Sequence, residues 1–263
     1  MTWNWTLLDA GRFALDGGSM FGVVPKVIWS RLVEPDEQNR IPEACNCILL
    51  EKGDQRVLIE TGFGGGWSDK ERSVFGMNGV NILDALQQND IEPESIGTVI
   101  LSHLHFDHAA GVTLLPNATV VVQKQEWLDA NNNRSTMSKT YLPRVLDSIR
   151  ERVQVVDGDD SVLDDIKLTP RKGHTWGLQS IEFDDSEGTV CFCSDVMPTV
   201  NHVGLAYSMG YDMLPWDNAQ TKAQLLEQAC SENWRMVLYH EPCSPIVRVE
   251  KDDRGRFVLN QVT

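Results

Sequence analysis

The chain has 263 residues, 38 acidic against 23 basic, and a formal net charge of -15. A surface of that sign repels phosphate backbones, which argues against a nucleic-acid partner, and the length is enough for one large-cored domain spanning residues 1–263. No apolar run approaches a membrane span, and Met1-Thr2-Trp3-Asn4-Trp5 carries neither a basic nor an apolar leader, so a cytoplasmic protein with no membrane partner is expected.

Short β-branched runs predict strands at residues 5–8, 46–51 and 56–60, the last two joined by a Lys52-Gly53-Asp54 turn. Gly62-Phe63-Gly64-Gly65-Gly66-Trp67 marks a loop, and Val80, Leu83, Ala85 and Leu86 fit a helix within residues 79–88. Strands follow at 98–101 and 119–123, then a helix over 138–150 interrupted near Pro143. Residues 166–169, 179–183 and 189–193 continue the strand series. Asp217 is expected to cap a helix from about 218 to 233, with a last strand at 236–239. Such alternation fits a sandwich of two sheets covered by helices, without fixing the strand order. Of the six cysteines, Cys45 with Cys47 and Cys191 with Cys193 form C-x-C pairs inside strand-like runs. They read as buried, reduced thiols rather than as a zinc knuckle, which would need C-x-x-C.

Chemistry concentrates in Leu101-Ser102-His103-Leu104-His105-Phe106-Asp107-His108-Ala109-Ala110-Gly111, where an apolar strand ends. In extended chain, residues two apart share a face, so His103 and His105 can clamp one cation. The small residues that follow let the backbone turn and present Asp107 and His108 to a second position. Four ligand-type side chains within six residues form a site at little loop-closure cost. Five of the six histidines, His103, His105, His108, His174 and His240, stand in contexts that suit ligation; His202 is the exception, a supporting or substrate contact or else an exposed loop residue.

This pattern closely resembles the H-x-H-x-D-H signature of the metallo-β-lactamase superfamily. The resemblance continues, in the family's order, through Gly173-His174-Thr175-Trp176-Gly177, Ser194-Asp195 and His240. It implies an α+β fold, a four-layer αββα sandwich, with two divalent metal ions at one edge between the sheets. One ion would be held by His103, His105 and His174, the other by Asp107, His108 and His240, with Asp195 bridging them. An all-His/Asp set suits Zn²⁺ and also accepts Fe or Mn.

The implied reaction is hydrolysis of a small ester-like substrate by a metal-bridged hydroxide, with Asp107 holding and returning the proton. Phe21-Gly22-Val23-Val24-Pro25-Lys26 and Gly210-Tyr211-Asp212 resemble the acyl-homoserine lactonase-like, small-molecule hydrolase branch, so a lactone is the expected substrate. Two departures stand out. Lactonases of that branch carry a tyrosine three residues after the bridging aspartate, where this chain has Pro198, leaving Tyr211, Tyr207 or His202 to supply a donor. Glu60-Thr61-Gly62 stands in place of D-T-G. Loops 64–79 and 198–216, with Trp67, Phe75, Met77, Met209 and Trp216, are expected either to cover the cleft or simply to pack on the sandwich. The competing readings are an iron-dependent oxidoreductase of the same fold, a phosphoesterase or nuclease, and a metal-binding protein without catalysis.

Overall fold

The computed structural model describes residues 2–137, 140–163 and 165–262. Among these the strands form two sheets. The first runs in chain order: β1 (Asn4–Asp16), β2 (Arg40–Lys52), β3 (Gln55–Ile59), β4 (Thr98–Ile100), β5 (Thr119–Gln123) and β6 (Val153–Val156). β1 to β3 are antiparallel, and β3 to β6 are parallel. The second sheet contains β7 (Asp160–Val162), β8 (Ile166–Pro170), β9 (Gln179–Asp185), β10 (Gly188–Phe192), β11 (Arg235–Val237), β12 (Ile246–Lys251) and β13 (Phe257–Gln261). Its neighbours pair antiparallel except β10 and β11, which a helical crossover makes parallel.

The helices are α1 (Gly17–Phe21), α2 (Lys26–Trp29), α3 (Asp69–Phe75), α4 (Ile82–Gln87), α5 (Phe106–Ala109), α6 (Lys124–Asn131), α7 (Pro143–Ile149) and the crossover α8 (Pro215–Ser231). The two-residue period of β10 explains the layering. Val190 and Phe192 join Ile48, Ile59 and Val121 in the core between the sheets, while Cys191 and Cys193 pack with Leu225, Leu226 and Ala229 of α8. Helix α4 lies on β1 and α6 on β5 and β6, which completes the αββα order. The four strand cysteines are fully buried and unpaired, as expected.

Several boundaries differ from the expectation for identifiable reasons. β1 continues eight residues beyond Leu8, to Asp16, through a bulge between Asp9 and Arg12 that interrupts its two-residue period. Asp217 does not cap α8. Leu214 occupies that position and Pro215 the first turn, where a missing N–H costs nothing, while Asp217 pairs with Lys172 at 2.7 Å. Pro143 likewise opens α7 rather than interrupting it, and Ser138 and Lys139 lie outside the described residues. The segment at 64–79, expected as a loop, contains a helix, α3, with a Ser68/Glu71 capping box.

Candidate metal centre

Four chain exits meet at one edge of the sandwich. The parallel strands β3 and β4 deliver Glu60 and the 101–105 segment, β10 delivers Asp195, and β11 delivers His240. The β8–β9 loop supplies His174. The 103–108 stretch behaves as its spacing predicts up to His105. It then enters α5, whose single turn, rather than the Ala109-Ala110-Gly111 sequel, presents Asp107 and His108. Gly111 is needed for close approach, since a Cβ there would lie 2.0 Å from the Thr61 carbonyl oxygen.

All seven candidate ligands are buried and adjacent. His103, His105 and His174 form one cluster of ligand atoms, Asp107, His108 and His240 another, and His103, His108 and Asp195 a third, each within 4.8 Å. Nδ1 of His105 faces Nε2 of His174 at 3.0 Å. Asp195 lies between the clusters with divided oxygens: Oδ2 is 3.2 Å from His174 Nε2, and Oδ1 is 3.4 Å from Nε2 of both His108 and His240. Asp107 Oδ2 lies 3.6 Å from His240 Nε2 and 3.8 Å from His108 Nε2.

The outward ring nitrogens are held from behind. Nδ1 of His103 meets Ser102 Oγ at 2.9 Å, that of His240 meets the Ala44 carbonyl at 3.0 Å, and that of His174 meets Asp212 at 2.9 Å. Glu60 accepts from the Ser102 amide at 2.7 Å and brings its other oxygen to 3.4 Å from His108 Nδ1, so the longer side chain still reaches both groups. Glu126 joins two ligand loops, accepting from Leu104 N at 2.9 Å and Thr175 Oγ1 at 2.6 Å. A Cβ at Gly177 would collide with Glu126 N at 2.2 Å, so that junction needs glycine.

Facing inward, His103 Nε2, His108 Nε2 and Asp195 Oδ1 are buried without a hydrogen-bond partner among the described residues. Orphaned polar atoms of this kind are costly unless a cation binds them, so the donor set fits divalent metal ions. The electrostatics agree. Burial and the neighbouring histidines push His103 and His105 well below the usual imidazole range. Burial also opposes charge on His108 and His174, but the carboxylates beside them, Asp195 foremost, outweigh it and hold both up. Burial acts against Asp195 too, yet the surrounding imidazoles of His108, His174 and His240 keep its carboxyl well below the usual range. No cysteine joins a ligand cluster among the described residues.

This polar floor opens into a cavity of about 470 Å³. His105, Asp107, His174, Asp195 and His240 reach it, and its walls are mostly apolar, with Leu15, Met20, Trp67, Phe75, Phe106, Leu142 and Met209 beside the polar Ser68, Lys70, Glu71 and Thr140. Trp67, Phe75 and Phe106 pack on one another with centroids 5.2 to 6.4 Å apart. Both expected loops therefore contribute to the cleft, in part. Of the three donor candidates, the cavity lining includes Tyr211 and neither of the others. Tyr207 stands edge-on to Phe21 instead. His202 is buried rather than exposed, with Nδ1 against Thr199 Oγ1 at 2.8 Å and Nε2 donating to the Met20 carbonyl at 2.9 Å, so its ring fastens the loop to α1. Trp216 is 75% exposed and is not part of the lining.

Sequence reasoning missed Asp212, Glu126 and Glu43. Glu43 is fully buried, with neither oxygen hydrogen-bonded among the described residues, and burial together with Asp195, Glu241 and Asp107 pushes its carboxyl well above the usual range. Asp212 sits in the singled-out Gly210-Tyr211-Asp212 run, the one signal that could have found it.

A two-sheet sandwich with a buried His/Asp cluster at one edge is a scaffold built to hold divalent metal ions. The family described as the metallo-beta-lactamase superfamily matches residues 40–240, and the chain belongs to it. An N-acyl homoserine lactonase, AiiA, of Bacillus thuringiensis subsp. kurstaki is 27% identical over 204 residues, covering 73% of this chain and 75% of that protein. A probable metal-dependent hydrolase from Staphylococcus aureus superposes with a TM-score of 0.90 at 26% identity, covering 100% of this chain and 98% of the other. AidC, a dizinc quorum-quenching lactonase in complex with a product, N-hexanoyl-L-homoserine, shares the fold with a TM-score of 0.82 at 17% identity over 99% and 95% of the two chains. No helix among the described residues is long and apolar enough to cross a membrane.

Proposed function

We propose that this protein is a binuclear metal-dependent hydrolase that opens a lactone, or a similarly small ester, carrying an apolar substituent. The observation that carries the reading is the junction of two chemistries: seven buried His/Asp side chains cluster beneath a cavity that five of them reach and whose walls are mostly apolar. His103, His105 and His174 would hold one ion and Asp107, His108 and His240 the other, with the divided oxygens of Asp195 between them. Bound there, two zinc-class ions would acidify water toward neutral pH and polarise a carbonyl. Asp107 lines the cavity and is placed to hold a proton from the attacking water and return it to the leaving oxygen. Tyr211 faces the same space, and burial pushes its phenol up to about 12, so it keeps its proton as a donor to the developing oxyanion. The apolar wall receives the substituent, and the cavity is large enough for a medium acyl chain.

The test is a panel of lactones, esters, thioesters and phosphoesters offered to protein of known metal content. The expected result is two zinc-class ions per chain, lactone opening as the fastest reaction, loss of that activity on chelation, and one ion in His240→Ala. A single ion unaffected by His240→Ala would reject the binuclear reading. Faster phosphoester turnover, or oxygen consumption by an iron-loaded protein, would reject the lactonase reading.

A further inference from the structure

Asp212 has no part in the ligand set, yet its contacts are unusual. Its side chain is fully buried, and Oδ1 lies 2.9 Å from His174 Nδ1. Oδ2 accepts from the Met209 amide at 3.1 Å and from Asn218 Nδ2 on α8 at 3.0 Å. A carboxylate has no proton to give and only accepts, so the His174 proton facing it sits on Nδ1. That leaves the Nε2 lone pair directed at the cluster, opposite Nδ1 of His105. Of the other candidate histidines, His103 is backed by a hydroxyl and His240 by a carbonyl, while Glu60 stands farther from His108, at 3.4 Å.

Asp212 also stands directly behind the cavity wall. Met209, whose amide it accepts, and Tyr211, its neighbour in sequence, both line the cavity. The two segments are joined again along the backbone, Met213 N to the His174 carbonyl and Leu214 N to that of Gly173, each at 3.0 Å. At the far end of the segment the buried Lys222 ammonium donates to the carbonyls of His202, Gly204 and Tyr207 at 2.6 to 3.0 Å.

We propose that Asp212 is a positioning residue that fixes the tautomer and direction of the His174 ring, so that the 209–211 wall and the first metal position are set as one unit. The proposal rests on His174 being a ligand, but not on the substrate being a lactone. An Asp212→Asn amide cannot satisfy both sides. Its oxygen can face His174, leaving its NH₂ against the Met209 and Asn218 donors, or the reverse, which shifts the His174 proton to Nε2 and removes the lone pair.

The measurement is zinc affinity of the full chain by competition with a chromophoric chelator, with the absorption spectrum of the cobalt-substituted protein as a second readout. Asp212→Asn should weaken one of the two ions by roughly 10- to 100-fold and alter the cobalt bands. Asn218→Ala removes a donor to Oδ2 but leaves the Asp212–His174 pair, and should bind zinc nearly as wild type. Wild-type affinity and bands in Asp212→Asn would overturn the proposal while leaving the metal reading intact. An equal loss in Asn218→Ala would also overturn it, by assigning the effect to wall packing. A wild-type chain that binds no zinc would overturn both readings. If Asp212→Asn does not fold, ¹⁵N imidazole spectra of the zinc-loaded wild type decide: a His174 proton on Nδ1 supports the proposal, and one on Nε2 overturns it.

Discussion

At the cavity floor each ligand-type side chain is buried, and His103, His174 and His240 are braced from behind by a hydroxyl, a carboxylate and a carbonyl. The α3 wall is built differently. No residue of α3 is buried, Val74 is 54% exposed, and the helix is sustained by its own ends. The Ser68/Glu71 box caps one end, and Arg40 Nη1 donates to the Ser73 and Val74 carbonyls at 2.7 and 3.0 Å at the other. The aromatic contacts of Trp67 and Phe75 with Phe106 then lay this lightly anchored helix over the floor. The floor is over-determined by long-range contacts and so holds ligand geometry; the wall depends on few of them and belongs to the low end of local stability. Chemistry should therefore be lost by changes at the floor, and substrate preference altered by changes at the wall.

Asp107→Asn is the strongest way to test the floor. The amide keeps the shape but loses the charge and basicity, and kcat should fall by about two orders of magnitude or more. Steady-state kinetics with metal analysis check this. Unchanged kcat with both ions retained would remove Asp107 from the mechanism.

Tyr211→Phe lies at the boundary between the two regions. If its hydroxyl serves the oxyanion, removing it should lower kcat by roughly a hundredfold at unchanged metal content. Tyr207→Phe should remain near wild type, because the cavity lining does not include Tyr207. Near wild-type turnover in both variants would leave the metals alone as the electrophile.

The difference between floor and wall also governs what was legible in sequence. His103, His105, Asp107 and His108 share a short stretch, so local geometry alone brings them together. His174, Asp195 and His240 were readable through the family resemblance, which lies in short motifs following one another along the chain. Glu126 and Glu43 carry no such signal, and Asp212 only its place in Gly210-Tyr211-Asp212: Asp212 reaches His174 across 38 positions and Glu126 reaches Leu104 across 22. Their role exists only once the loops have met. α3 was missed because its apolar residues do not form a helical stripe, as expected of a helix that buries none of them. Its capping box was local and readable. β12 and β13 follow His240, after the last motif, although Ile246, Arg248 and Glu250 alternate with the more buried Val247 and Val249.

His202 tests whether the loop bearing Tyr211 is held as firmly as the floor. Burial pushes its imidazole down to about 4, the Met20 carbonyl opposing in part. An unfolded chain takes up that proton near pH 6.5. Folded-state stability from this residue is therefore complete above about pH 6.5 and lost as pH falls toward 4, by about 3 kcal/mol in all. His202→Gln can keep the bond to Met20 and does not titrate. Denaturant unfolding at fixed zinc should show a shallower acid slope for the variant, and their difference separates His202 from acid release of the ions. Parallel slopes would show that His202 does not stay neutral in the folded state.

The smallest effect is expected at the wall, from Phe75→Ala. The ring is half-buried on the exposed helix and touches Trp67 and Phe106 at the cavity's edge, so its loss leaves the ligand set untouched. If an acyl chain lies against it, ~50 Å² of apolar contact at ~25 cal/mol per Å² gives ~1.3 kcal/mol, or roughly tenfold in affinity. That contact is made equally before and during reaction, so KM should rise about tenfold with kcat nearly constant. The sharper test is chain length. A short-chain lactone does not reach Phe75 and should show little change, whereas a medium-chain one should show the full effect. Equal KM ratios for both would mean that the wall acts by supporting Phe106 above Asp107 rather than by touching substrate. A fall in kcat for both would place α3 with the floor, and the distinction between a braced floor and an adaptable wall would fail.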